Sequence, residues 1–342
     1  IEMIIKYILG LFIFFILNRT CQIRKIFLNK TKFSKHKKFI DNSSELTVLS
    51  GLFLVIGNLA LNFNLFDELQ FLFYVSFFVV GFVSDRVKNF SPFLRIILQI
   101  FIIYFFVYNF DVRITNIKIN ILNDLLQINI ISLIFTTFCI IVLVNGSNFI
   151  DGINISSIGY YLGVLVSIYY LSNNFNLILN KEFVEIQILL LGIILFFNIM
   201  NKSYLGDGGI YFISFITSVI IIKFINLNQY SVSPFFAVSI LWYPCFENLF
   251  SIFRKKMDNL KVSDADNRHL HHLIYVFIKK KLNLKMSNNI SGLIILFYNY
   301  IVFYLSVNFY NQSKNLIFLI LISILIYSTV YLFLRKKLKI IS

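Results

Sequence analysis

The chain has 342 residues, of which 58% are hydrophobic, 18% aromatic and only 14% charged, and its formal net charge is +15. A water-soluble domain has no use for that much apolar surface, so the composition argues against an ordinary soluble enzyme and for a polytopic membrane protein. Basic loops gathered at one membrane face account for the positive charge, and no nucleic-acid partner is expected. Cys21, Cys139 and Cys245 are scattered without a CxxC pair and support neither a disulfide framework nor a zinc site.

In chain order, residues 3–17 read as an uncleaved first span, because no small-residue cleavage site follows them. Apolar runs at 3–18, 46–63, 68–83, 93–108, 127–144, 153–171, 183–199, 209–225, 233–253, 290–308 and 315–334 predict an all-α, multi-pass protein with about eleven transmembrane helices. Most Lys and Arg residues fall in the first loop, in 254–288, in the tail and at Arg86, Lys88 and Lys202. The alternate connections hold only Arg113, Lys118, Lys181, Lys223 and Lys314. The positive-inside rule then predicts an N-terminus outside and a cytoplasmic C-terminus. One outside connection, Asp111–Asn120, alternates apolar and polar residues and predicts a short strand or hairpin.

The same parity places the loops 19–45, 84–92, 145–152, 200–208 and 254–288 together on the inside, as the catalytic face of a single domain spanning 1–342. Nearly every polar cluster lies there. Asp85 ends the third span, Pro92 opens the fourth, and Arg95 one turn later is a partner able to hold the carboxylate ionised. Asn145, Asn148 and Asp151 recur every third residue, which puts them roughly on one face of a helical turn. Gly206-Asp207-Gly208-Gly209 offers a hard oxygen ligand at the head of a helix; Mg2+ suits one or two carboxylates supplemented by phosphate oxygens. Arg268, His269, His271 and His272 suit a diphosphate better than zinc, since only Asp264 and Asp266 are close enough in sequence to complete a metal site. Acidic and amide ligands, glycines and an Arg/His loop at a membrane face together fit phosphoryl transfer from a nucleotide diphosphate to a lipid.

Four motifs in order carry a resemblance: Gly81-Phe-Val-Ser-Asp85-Arg86, Asn145-x-x-Asn148-x-x-Asp151-Gly-x-Asn154, Leu205-Gly-Asp207-x-Gly and His269-Leu-His271-His272. Over about residues 75–275 the chain resembles the polyprenyl-phosphate N-acetylhexosamine-1-phosphate transferases of glycosyltransferase family 4. The run Trp242–Ser251 looks like the branch that initiates O-antigen. The resemblance implies transfer of a sugar-1-phosphate from a UDP-N-acetylhexosamine to undecaprenyl phosphate, with release of UMP, in the bacterial cytoplasmic membrane. It implies Mg2+, with Mn2+ as the alternative, held by Asp207 and Asn148, and catalytic roles for Asp85, Asp207 and Asp151. Arg95, Asn145, Asn154, Arg268, His269, His271 and His272 would contact substrate, with Asp151 and Asn154 ordering the nucleotide end. Bundles of this kind often dimerise, so a homodimer is one expected state.

The chain departs from the family pattern at Ser84, which stands where the first of two adjacent aspartates is usual, and at Asn154, where many bacterial members carry Asp. An early Pro-x-x-Gly-Gly region is reduced to Thr47-Val-Leu-Ser-Gly51. The alternatives are the phospho-N-acetylmuramoyl-pentapeptide transferase branch, a family member made inactive by Ser84, and a transporter. A transporter would place its ionisable groups mid-span rather than at one face.

Overall fold

The computed structural model describes residues 2–27, 47–62, 67–87, 90–259, 268–280, 282 and 284–338. Helices in chain order are α1 (Glu2–Ile23), α2 (Ser50–Leu61), α3 (Glu68–Arg86), α4 (Pro92–Phe110), α5 (Asn120–Leu126), α6 (Asn129–Ile150) and α7 (Ser156–Asn174). They continue as α8 (Lys181–Ile199), α9 (Gly206–Leu227), α10 (Pro234–Ile240), α11 (Trp242–Met257), α12 (Leu270–Lys279), α13 (Leu284–Asn308) and α14 (Ser313–Lys337). Most of the expected 19–45 loop, Lys88, and 260–267 with Asp264 and Asp266 lie outside the described residues.

Helix α9 is the axis of the bundle. Its apolar window is 83% buried, against 17% for α1, and α2, α3, α6 and α7 pack around it. In lipid, helices associate through close packing and hydrogen bonds rather than through apolar burial. Here Phe215 of α9 meets Phe77 of α3 at 4.8 Å and Phe106 of α4 at 4.9 Å between ring centroids. Between α2 and α8, the amides of Asn58 and Gln187 bond each other in both directions, at 3.2 and 2.5 Å. Helix starts follow local chemistry: Asp67 accepts from Leu69 N at 2.9 Å to cap α3, and Ser91 precedes Pro92 at the head of α4.

The structure corrects several expectations. Among the described residues eight helices are long and apolar enough to cross a membrane; a ninth span arises if α10 and α11, bent by 69°, are counted as one. The described residues do not show the full expected eleven. Helix α2 has 12 residues, about 18 Å of rise, too short to span a bilayer core. Helix α7 is long enough, but its Tyr and Ser residues keep it out of the strongly apolar set. The eight long apolar helices are nonetheless those of a multi-pass membrane protein.

No strand forms at 111–120. Its backbone is satisfied by side chains instead: Ile114 N donates to Thr136 Oγ1 at 2.8 Å, Ile117 N to Asn123 Oδ1 at 2.8 Å, and Asn226 Nδ2 to the Arg113 carbonyl at 2.7 Å. Nor is 145–152 a loop, since α6 runs on through Ile150. The expected loop 254–288 likewise contains α12 and the start of α13.

Candidate active site

The polar residues of α6's last two turns are tolerated in a helix because each meets a different neighbour. Asn145 Nδ2 donates to Gln99 Oε1 of α4 at 3.1 Å, and Asn148 Nδ2 to the Tyr211 hydroxyl of α9 at 3.4 Å. Ser147 pairs with the Tyr161 hydroxyl of α7, and Phe149 stacks on His269 at 4.9 Å. The end of α6 thus stands between two polar groups, one on α3, α4 and α9, the other at α11, α12 and α14.

The first group is acidic and basic. Asp85, in the last turn of α3, accepts from the Asp207 backbone N–H at 2.6 Å, placing a carboxylate at the positive end of α9. Gly206 permits this turn: its φ is +73°, and an added Cβ would lie 2.9 Å from Asp85 Oδ2. Ser84 sits between the charges, its hydroxyl 3.5 Å from Asp207 Oδ2 and 3.4 Å from Arg95 Nη1. Arg95 Nη1 is itself 3.9 Å from Asp207 Oδ2, and both side chains are about one-fifth exposed, at 20% and 19%. Asp207 thus stands between Ser84 and Arg95 with part of its side chain in solvent.

The second group is drier. His269 Nδ1 lies 2.8 Å from Glu247 Oε1, and the Tyr327 hydroxyl donates to Glu247 Oε2 at 2.7 Å. The His271 and His272 rings lie 4.0 Å apart between centroids, tilted by 54°, with both Nε2 atoms directed at Gly152. A Cβ on Gly152 would come within 2.3 Å of His271 Nε2, so only glycine lets the α6–α7 turn approach the rings. Burial, reinforced by His272 and His269, holds His271 well below the ordinary imidazole range and keeps it neutral.

Three expected site residues are already engaged. Arg268 Nη1 donates to Asp258 at 3.1 Å, and Asp258 also takes Arg335 at 3.1 Å, so this guanidinium ties α12 to the ends of α11 and α14 rather than standing free for phosphate. Asp151 accepts from Ser157 in the first turn of α7. Asn154 is 1% exposed; its amide nitrogen donates to Asn201 at 2.5 Å and Asn289 at 2.8 Å, and its backbone N–H to Asn288 at 2.7 Å. This knits the turn to the α8–α9 connection and to α13. The neighbouring Ile155, at φ +71°, is a strained backbone that the Asn198 amide holds through a 2.7 Å bond. Asn154 therefore organises the protein itself, which is the physical reason it makes no hydrogen bond to the Asp207 group.

The sequence reading missed Gln99 and Tyr211, although each lies four residues beyond an expected site residue, Arg95 and Asp207, on the same helix face. Glu247 lies within the Trp242–Ser251 run, but nothing in the sequence pairs it with His269 or with Tyr327, 80 residues away. Among the described residues no group of three or more His, Cys, Asp and Glu side chains could hold a metal ion. The Asp85 carboxylate meets the Asp207 backbone N–H at the head of α9, and Asn148 reaches α9 one turn further in.

The fold defines the chain as a multi-pass membrane protein. Residues 69–225, from α3 almost to the end of α9, match the family described as Glycosyl transferase family 4. The family points to a transferase of the sugar-phosphate kind, with a sugar-phosphate donor and a polyprenyl-phosphate acceptor. No match was found among curated proteins. The matched segment contains Asp85, Asn145–Asn154 and Asp207; the histidine motif and Trp242–Ser251 lie beyond it.

Proposed function

We propose that the protein transfers N-acetylhexosamine-1-phosphate from a UDP-sugar to undecaprenyl phosphate, releasing UMP and starting a lipid-linked surface glycan. The observation that carries this reading is the Asp85–Asp207–Arg95 arrangement inside the matched segment, with the lipid-facing helices around it. The protein would lie in the bacterial cytoplasmic membrane, N-terminus outside, with the polar end and C-terminus in the cytoplasm, as the basic residues favour.

The acceptor phosphate oxygen attacks the β-phosphorus of the donor, the bond to the bridging oxygen breaks, and UMP leaves with that electron pair. No protein nucleophile is needed, so the residues act by position and charge. Arg95 offers a fork of donors for phosphate oxygens, and Asp85 fixes the N-terminus of α9, from which Asp207 projects. Oxygen-only donors with too few carboxylates for an all-protein cage fit Mg2+, or Mn2+, better than zinc. Asp207 and Asn148 would hold the ion, which would neutralise the diphosphate charge. Ser84 leaves Asp207 to do this with a hydroxyl rather than a second acid beside it.

The test is UMP release from labelled UDP-GlcNAc with undecaprenyl phosphate and Mg2+ in detergent, extended to a panel of UDP-N-acetylhexosamines. Asp207→Ala is expected to lower transfer by about a hundredfold or more; a variant with wild-type turnover would remove the assignment.

A further inference from the structure

Beyond the segment matched by the family lies a buried polar chain that the reaction scheme leaves unused. Glu247, in the second turn of α11, is 1% exposed, and a carboxylate this dry is destabilising unless donors satisfy it. Two elements supply them: His269 before α12, at 2.8 Å, and Tyr327 of α14, at 2.7 Å. A carboxylate only accepts, so His269 carries its proton on Nδ1. The imidazole is also clamped by Phe149, stacked at 4.9 Å with 26° between planes, directly after Asn148 in the sequence. With Nδ1 committed and the ring held, Nε2 is the edge left over, and no described residue hydrogen-bonds it.

We infer that Glu247 is a positioning residue for the nucleotide-sugar donor. It fixes the tautomer and orientation of His269 so that Nε2 remains as the ligand edge, while Tyr327 couples that geometry to α14. Metal-bound histidines are oriented by the same kind of carboxylate behind the ring, and removing it there costs about 10- to 100-fold. The inference rests on the transferase reading for the identity of the donor, but not for the state of the ring.

The experiment is a double-mutant cycle on the full-length protein with Glu247→Gln, His269→Gln and the pair, followed by UMP release. Expected is a rise of about tenfold in donor KM for Glu247→Gln, an unchanged acceptor KM, and a double variant no worse than His269→Gln alone. Additive losses, or a wild-type donor KM in Glu247→Gln, would overturn it. Should Glu247→Gln fail to fold, Tyr327→Phe removes one donor only and enters the same cycle, with the same non-additivity required. Imidazole 15N spectra give a readout free of turnover: the His269 signal, identified by its loss in His269→Gln, shows a protonated Nδ1 that shifts in Glu247→Gln or Tyr327→Phe. An unchanged spectrum overturns the inference whatever the activity. A shifted spectrum in a protein that turns over no UDP-sugar would instead refute the transferase reading alone.

Discussion

The two polar groups flanking α6 are built on opposite principles. On the first side the Asp207 carboxylate stands 3.5 Å from the Ser84 hydroxyl and 3.9 Å from Arg95, and the Asp207 and Arg95 side chains keep about a fifth of their surface in solvent. Around Glu247 the contacts are short, 2.7 and 2.8 Å, with side-chain exposures of 1% for Glu247 and 5% for His269. Charges that keep contact with solvent can meet a ligand, whereas a dry network spends its capacity on holding a geometry. The difference suits a division of labour: the α3–α4–α9 group neutralises and binds, and the α11–α12–α14 group orients. Both reach the end of α6, through Tyr211 to Asn148 on one side and His269 to Phe149 on the other.

The comparison can be broken most severely at the histidine side with Gly152→Ala. The added methyl would sit 2.3 and 2.6 Å from the two Nε2 atoms, in a place where buried rings cannot yield. The expected result is a loss of about 1–3 kcal/mol in stability from overpacking, with transfer reduced tenfold or more. Thermal unfolding and UMP release check it; an unperturbed variant would show that the turn is not held against the rings.

A smaller effect is expected on the open side. Ser84→Asp would put a second carboxylate between Asp207 and Arg95, raising local negative charge where a cation is proposed to bind. The Mg2+ concentration giving half-maximal transfer should fall several-fold while donor KM stays within twofold. A metal titration that does not move would detach Ser84 from the ion.

The smallest is a pH effect confined to the dry side. His271 is depressed in the folded protein, so between its folded and unfolded values the unfolded chain binds more protons. Its contribution to stability is therefore fully present above about pH 6.5, the ordinary imidazole value, and is lost as pH falls below it, at most about 1.4 kcal/mol per pH unit. Melting curves from pH 7.5 to 5.5 should steepen in this sense for the wild type and flatten in His271→Asn. An equal slope in both would place the titration elsewhere.

Much of the site was legible because chemistry is local to the sequence. Helix ends collect caps and charges, so Asp85, Arg95 and Asp207 announced themselves at the termini of apolar runs, and the spacing of Asn145 and Asn148 gave their common face. The partners of Asn154 were not legible: Asn201 lies in the α8–α9 connection and Asn288 and Asn289 lie on α13, and an amide gives no hint of whether it faces a ligand or another amide. The strand expected at 111–120 failed for a related reason. Alternation describes a half-buried extended backbone, but only the positions of Thr136, Asn123 and Asn226 decide that side chains, not a second strand, complete it.

By itself the sequence determined the class, an all-helical membrane protein, because inserting apolar helices depends on composition and period alone. Tertiary structure decided which polar groups stay open and which close on one another. That choice rests on distances between helices far apart in the chain: Glu247 becomes an orienting residue only where Tyr327 and His269 arrive together, and Ser84 becomes a neighbour of Asp207 only where α3 meets the head of α9.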